Sequence, residues 1–78
     1  MNDQELLGNV IRELRRGLNL TQEALAERSK LHPVSVARIE TGAFNVTFNT
    51  LIRLASALET DVCTLLCTFQ KRQSDQHP

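Results

Sequence analysis

The sequence predicts an all-α fold of five short helices in a single domain. Apolar residues recur at intervals of three and four along most of the chain, which is the period of a helix with one buried face. A capping residue or a proline precedes each apolar run, and no segment shows the alternation of a strand. The length of 78 residues, 41% of them hydrophobic, suits one compact core.

The first predicted helix lies at the N-terminus. Asn2 and Glu5 have the spacing of a capping box at its start. Asn19 is expected to adopt the left-handed conformation that ends it. Between these ends, one apolar face is predicted from Leu6, Leu7, Val10, Ile11, Leu14 and Leu18.

Two shorter helices are predicted next. Thr21 is the expected N-cap of the second helix, which ends near Ser29. Pro33 has the fixed backbone angle that suits a first helical position, so the third helix is predicted over Pro33–Thr41. Gly42 is expected to close it.

The fourth and fifth predicted helices begin after Thr47 and Thr60, the expected caps. The fourth is expected to bury Phe48, Leu51, Ile52, Leu54, Ala55 and Leu58. The stripe of the fifth is formed by Val62, Leu65, Leu66 and Phe69. The domain is predicted to span residues 1–70, and residues 71–78 are predicted to be a polar, disordered tail.

Composition argues against several classes of function. Nine basic and nine acidic residues cancel, so net charge does not indicate a nucleic-acid partner. No apolar run is long enough for a membrane span and the first residues do not resemble a signal peptide, so a cytoplasmic location is expected. Cys63 and Cys67 are expected to be buried or interfacial thiols. With only His32 and His77 as imidazoles, no metal, cofactor or catalytic site is predicted.

The second and third predicted helices have the geometry of a helix-turn-helix. At 100° per residue, Val36, Ile39 and Glu40 fall on the inner face of the third helix. The opposite face is then formed by Val34, Ala37, Arg38 and Thr41. Such a face fits the major groove of DNA, although short helix pairs also occur in purely structural bundles.

The segment LTQEALAERSKLHPVSVARIETG, from Leu20 to Gly42, resembles the phage-repressor and Cro family, also called XRE-type regulators. The resemblance rests on the Thr-Gln-Glu start at residues 21–23, the Leu-Ala pair at residues 25 and 26, and the Ile-Glu-x-Gly ending at residues 39–42. It extends upstream to Ile11 and downstream to Leu58. It implies a five-helix, repressor-like DNA-binding domain.

The resemblance also implies roles for individual residues. Gln22 would hydrogen-bond a DNA phosphate at the N-terminus of the second helix. Arg15 and Glu40 would form an ion pair that supports the fold rather than contacting DNA. Further phosphate contacts are expected from Thr21, Lys30, His32 and Thr41. Alternatives remain: Gln22 as an ordinary helix-start residue, Thr41 as a helix-end residue, and His32 as a poor cap facing water.

Base contacts are expected from the outer face of the third helix. Arg38 has a guanidinium that can donate two hydrogen bonds to guanine, although a phosphate contact or a solvated side chain is the alternative. Val34 is expected to touch a thymine methyl group, and Ser35 to reach a base edge or a phosphate.

Three residues depart from the family pattern. Lys30 stands where glycine usually provides a left-handed turn, at a cost of about 1 kcal/mol. Pro33 replaces a polar side chain that reads bases in many relatives. His32 replaces a small polar cap. A relative's target sequence therefore cannot be transferred directly.

A homodimer is expected, because one recognition helix reads only a few base pairs. The interface is predicted on the fifth helix, at Leu66, Cys67 or Phe69. For Phe44 the sequence leaves two alternatives, packing against the core or joining the dimer contact. The predicted function is a dimeric repressor or autoregulator of transcription that binds double-stranded DNA and no small-molecule ligand. Phage, restriction-modification and antitoxin contexts stay open. The alternative is a protein-interaction module with little DNA affinity.

Overall fold

The computed structural model describes residues 1–75 of the chain. This part contains five helices and no strand, which confirms the all-α prediction. The helices are α1 (Asp3–Gly17), α2 (Gln22–Ser29), α3 (Pro33–Thr41), α4 (Phe48–Ala57) and α5 (Val62–Asp75).

Local side-chain contacts explain where the helices begin. At α1, Asn2 accepts a hydrogen bond from the Glu5 amide at 2.8 Å, and the Glu5 carboxylate accepts one from the Asn2 amide at 3.1 Å. The predicted capping box is therefore confirmed. Thr21 and Thr47 accept from backbone amides at the starts of α2 and α4. At α5 the capping oxygen comes from Asp61, at 2.7 Å from the Thr64 nitrogen, and not from Thr60 as expected.

Left-handed residues separate the helices. Asn19, with φ of 58°, follows α1 as predicted, and Gly42, with φ of 80°, closes α3. Lys30 adopts φ of 59° at the turn between α2 and α3, so it takes the conformation for which glycine is better suited. These residues lie in connections of four residues after α1, three after α2 and six after α3.

The core lies where α1, α2, α3 and α4 meet, and α5 adds one fully buried leucine. Its largest fully buried apolar side chains are Ile11, Leu25, Ile39, Leu54 and Leu65. Because α3 buries Val36 and Ile39, its inner side is fixed against α1 and α2. The outer side of α3 is consequently held in a defined orientation.

The expectation that α4 buries Phe48 and Ile52 was wrong. Phe48 is 69% exposed and Ile52 is 43% exposed. The turn of 100° per residue places them beside the arc that enters the core, rather than within it. That arc is filled by Leu51, Leu54, Ala55 and Leu58.

The predicted boundary at residue 70 was also wrong, because α5 continues through residues 71–75. Its last turns contact α1: Arg72 forms an ion pair with Glu13, and Gln73 donates to Asp3 at 3.0 Å. The rest of the predicted tail, residues 76–78, lies outside the described residues. No helix in the described chain is long and apolar enough to cross a membrane.

Candidate nucleic-acid interface

The segment from α2 to α3 forms a compact helix pair with a three-residue connection. Lys30 provides the left-handed turn after α2, and His32 caps α3 by accepting a hydrogen bond from the Val34 amide at its Nδ1, at 3.2 Å. Pro33 occupies the first position of α3, as predicted. This arrangement exposes both Lys30 and His32 at the turn.

The outer face of α3 carries the side chains expected to meet bases. Val34 is 52% exposed and Arg38 is exposed, with no side-chain partner among residues 1–75. Ser35 is half-buried, toward the flank of the helix. The hydroxyl of Thr41 donates to the Arg38 carbonyl oxygen at 3.1 Å, so it is engaged at the end of α3. Arg38 and Val34 are therefore free to contact another molecule.

A buried ion pair fixes the inner side of α3, as the family resemblance implied. Glu40 is 1% exposed and accepts from Arg15 Nε at 2.6 Å and from a second guanidinium nitrogen at 3.0 Å. The hydrogen bonds to Glu40 raise the pKa of Arg15 although burial opposes this. Arg15 also donates to the Leu20 carbonyl oxygen at 2.8 Å. One carboxylate thus joins α1 and α3, and Arg15 joins both to the start of α2.

Two further side chains converge on the same carboxylate, and sequence reasoning did not predict their contacts. Gln22 donates from Nε2 to Glu40 Oε1 at 3.1 Å, and Arg12 Nε lies 3.7 Å from that oxygen. Arg12 also donates to the Glu40 carbonyl oxygen at 3.5 Å. The available signal was the spacing of three between Arg12 and Arg15, which places both on one face of α1.

Close backbone contact holds α1 against the C-terminal end of α3. A Cβ atom on Gly8 would lie 2.4 Å from the Ile39 carbonyl oxygen. A Cβ atom on Gly42 would lie 2.8 Å from Glu5 Cα, at a residue whose positive φ already favours glycine. The two glycines therefore permit the approach that brings Arg15 to Glu40.

The residues predicted to form a dimer interface all lie on α5. Leu66 and Cys67 are exposed, whereas Phe69 is half-buried against the core. Cys63 and Cys67 are exposed free thiols in the single chain, so burial in the core is wrong for both, and the alternative of an interfacial position stays a prediction. Phe44 lines an apolar cavity of about 140 Å³ together with Leu66 and Phe69. The loop after α3 and the outer side of α5 thus share one apolar surface.

Among residues 1–75, no group of three or more candidate metal ligands is present. That the chain holds no metal stays a prediction.

Arg28 pairs with Glu59 at 3.3 Å on the surface, so the charge of one basic residue of α2 is partly neutralised. Lys30 and Arg38 remain as exposed cations of the helix pair.

The chain is similar to known helix-turn-helix proteins, in agreement with the geometry of α2 and α3. A model of the helix-turn-helix family matches residues 11–65. Control protein C.SmaI from Serratia marcescens is 46% identical over 76 residues, which cover 97% of this chain and 89% of the relative.

Solved structures agree with this match. The restriction-modification controller protein C.AhdI from Aeromonas hydrophila is 36% identical, with a TM-score of 0.79 over 81% of this chain and 96% of that one. The controller protein C.Esp1396I, solved as a tetramer with its natural 35 base-pair operator, is 25% identical. Its TM-score is 0.84 over 91% of this chain and 93% of that one.

Proposed function

The chain belongs to the helix-turn-helix family, and from this membership we propose that it is a dimeric controller of a restriction-modification system. It is a sequence-specific DNA-binding regulator of transcription. Its similarity to the control protein C.SmaI and the restriction-modification controller protein C.AhdI favours the controller role over the phage and antitoxin contexts. We propose that it works in the cytoplasm by binding rather than by catalysis.

The outer face of α3 carries the proposal. Glu40 and Ile39 anchor the inner side of the helix, while Arg38 and Val34 project from it without a partner within residues 1–75. In the major groove, Arg38 donates two hydrogen bonds to a guanine, which is worth about 1–3 kcal/mol of discrimination. Val34 contacts a thymine methyl group, and Ser35 reaches the flank of the site.

Phosphate contacts surround this helix in the proposed complex. The start of α2 contributes Gln22 and Thr21, with the favourable end of the helix dipole. The turn contributes Lys30 and His32. The end of α3 contributes Thr41, whose hydroxyl rotates from the Arg38 carbonyl oxygen to donate to the phosphate. These contacts set the position of α3 but carry no sequence information.

The dimer forms through α5 in this proposal. Cys63, Leu66 and Cys67 are exposed at spacings of three and four, apart from the stripe of Val62, Leu65 and Phe69 that faces the core. Phe44 extends the apolar surface next to Leu66. Pairing of this surface with a second copy covers the exposed leucine and makes DNA binding depend on the protein's own concentration.

Leu66→Glu tests the dimer, since it places a charge on this surface. Light scattering at high micromolar concentration is expected to give the mass of two chains for the wild type and of one for Leu66→Glu. Thr64→Glu, an exposed position on another side of α5, is the matched control and is expected to stay dimeric. A wild type that remains monomeric contradicts the proposed dimer.

Selection from random duplexes tests the DNA contact. The wild type is expected to enrich a palindrome, and Arg38→Ala to lose preference at one symmetric pair of positions. Lys71→Ala, which removes an exposed charge from α5, is expected to keep the wild-type preference. If no duplex is retained at low salt, the proposal fails and an interaction module becomes the better account.

A further inference from the structure

Two guanidinium groups face one buried carboxylate at the junction of α1, α2 and α3. Arg15 is buried and already forms two hydrogen bonds to Glu40, at 2.6 and 3.0 Å. Arg12 has a side chain that is 34% exposed, its Nε lies 3.7 Å from Glu40 Oε1, and a second guanidinium nitrogen donates to the Glu40 carbonyl oxygen at 3.5 Å. Because Glu40 already pairs with Arg15, it neutralises the charge of Arg12 only in part, and Arg12 lies at the protein surface.

Other groups nearby do not neutralise Arg12 directly. Within residues 1–75, Glu40 supplies the only carboxylate oxygen within 4.0 Å of the Arg12 guanidinium. An incoming anion therefore meets a partly exposed cation that shares its one carboxylate with Arg15.

Gln22 lies beside Arg12 because both contact the same oxygen, Glu40 Oε1. The bond to Glu40, at 3.1 Å, uses one hydrogen of the Gln22 carboxamide nitrogen and leaves the second available. It also fixes the carboxamide, so that the free hydrogen has a defined direction. Glu40 is thus a positioning residue for both side chains.

The geometry points to Arg12 and Gln22 as one binding site for a DNA phosphate. This inference rests on the proposed function and adds Arg12 as a DNA contact beside Gln22, the phosphate contact that the family resemblance implies. The guanidinium supplies charge and the carboxamide supplies a directed hydrogen bond. Because the contact is to phosphate, it contributes affinity and leaves the base preference unchanged.

The salt dependence of binding distinguishes this contact from a structural role. Loss of one phosphate contact lowers the slope of log affinity against log salt by about 0.9. When salt rises fourfold, Arg12→Ala is therefore expected to lose roughly threefold less affinity than the wild type. Arg12→Lys keeps the charge and is expected to retain most of the wild-type slope.

Arg16→Ala is the matched control, because Arg16 is an exposed arginine one turn further along α1 with no side-chain partner among residues 1–75. It is expected to keep the wild-type slope. Urea unfolding of each variant separates a weakened fold from a lost contact, since a merely structural role of Arg12 shifts the urea midpoint but not the salt slope. A slope for Arg12→Ala equal to that of Arg16→Ala overturns the inference.

A double-mutant cycle tests whether the two side chains share one phosphate. If they do, Gln22→Ala weakens binding less in the Arg12→Ala background than in the wild type, so the fold-changes do not multiply. Fold-changes that multiply contradict a shared phosphate. A wild type that binds no duplex at low salt refutes the proposed function itself. A wild type that binds with a steep salt slope, while Arg12→Ala matches the control, refutes only this inference.

Discussion

Replacement of Arg15 by methionine tests how strongly the fold depends on the buried ion pair. Methionine keeps much of the apolar stem of arginine but removes the guanidinium. The substitution deletes both Arg15 hydrogen bonds to Glu40 and the bond to the Leu20 carbonyl oxygen. Glu40 is then left with Gln22 at 3.1 Å and Arg12 at 3.7 Å.

The expected loss of stability follows from these remaining partners. Removal of one member of a buried ion pair costs about 3–5 kcal/mol, because the other charge stays buried without compensation. Gln22 and Arg12 still contact Glu40, so we expect the free energy of unfolding to fall by about 3 kcal/mol, the lower end of that range. With a urea slope of about 1 kcal/mol per M, the midpoint falls by about 3 M.

The assay is urea unfolding followed by circular dichroism at one fixed protomer concentration, because dimerisation makes stability depend on concentration. Arg16→Met is the control and is expected to lie within about 0.5 kcal/mol of the wild type. The double variant Arg15→Met with Glu40→Leu is expected to recover most of the loss, since no charge stays buried. If Arg15→Met unfolds within about 0.5 kcal/mol of the wild type, the buried carboxylate does not depend on Arg15 and the reasoning is refuted.

Three other substitutions probe the backbone and the cap of α5. Gly8→Ala is expected to cost about 1–3 kcal/mol, because its Cβ would lie 2.4 Å from the backbone oxygen of Ile39; an unchanged melting temperature contradicts this. Lys30→Gly is expected to raise the melting temperature by about 4–8 °C, since it relieves a left-handed lysine with φ of 59°; a lower melting temperature argues against strain there. The Thr64 amide donates to Asp61 and lowers the pKa of that carboxyl below its ordinary value of 3.8. The stabilisation is therefore present above pH 3.8 and lost as the pH falls below it, so melting from pH 6 to pH 2 is expected to show a shallower acid decline for Asp61→Asn than for the wild type.

The starts of α1 to α4 could be predicted from the sequence because their determinants are local, whereas at α5 the cap is Asp61 and not Thr60. Asn2 and Glu5 are three residues apart, and Pro33 acts through its own ring, so no distant contact is needed to place α1 or α3. The end of α5 could not be predicted in this way. It depends on contacts with α1 that join Arg72 to Glu13, residues far apart in the sequence.

In the candidate site, too, local features could be predicted and contacts between distant residues could not. Periodicity placed Glu40 on the inner face of α3, and the family resemblance paired it with Arg15, as the structure confirms. The contacts of Gln22 and Arg12 with that carboxylate arise only when three helices meet, so they were not predicted, although the spacing of three places Arg12 on the same face of α1 as Arg15. The exposure of Phe48 was missed for a related reason, because an apolar residue at a helix start is buried only if another element covers it.

Hydroxyl-radical footprinting on the selected duplex tests the central claim most directly, namely that two copies present α3 to successive major grooves of one DNA face. The account predicts two protected patches related by two-fold symmetry and about 10 base pairs apart, with two chains bound per minimal site. A single protected patch with one chain per site, or uniform protection of any duplex, would contradict it.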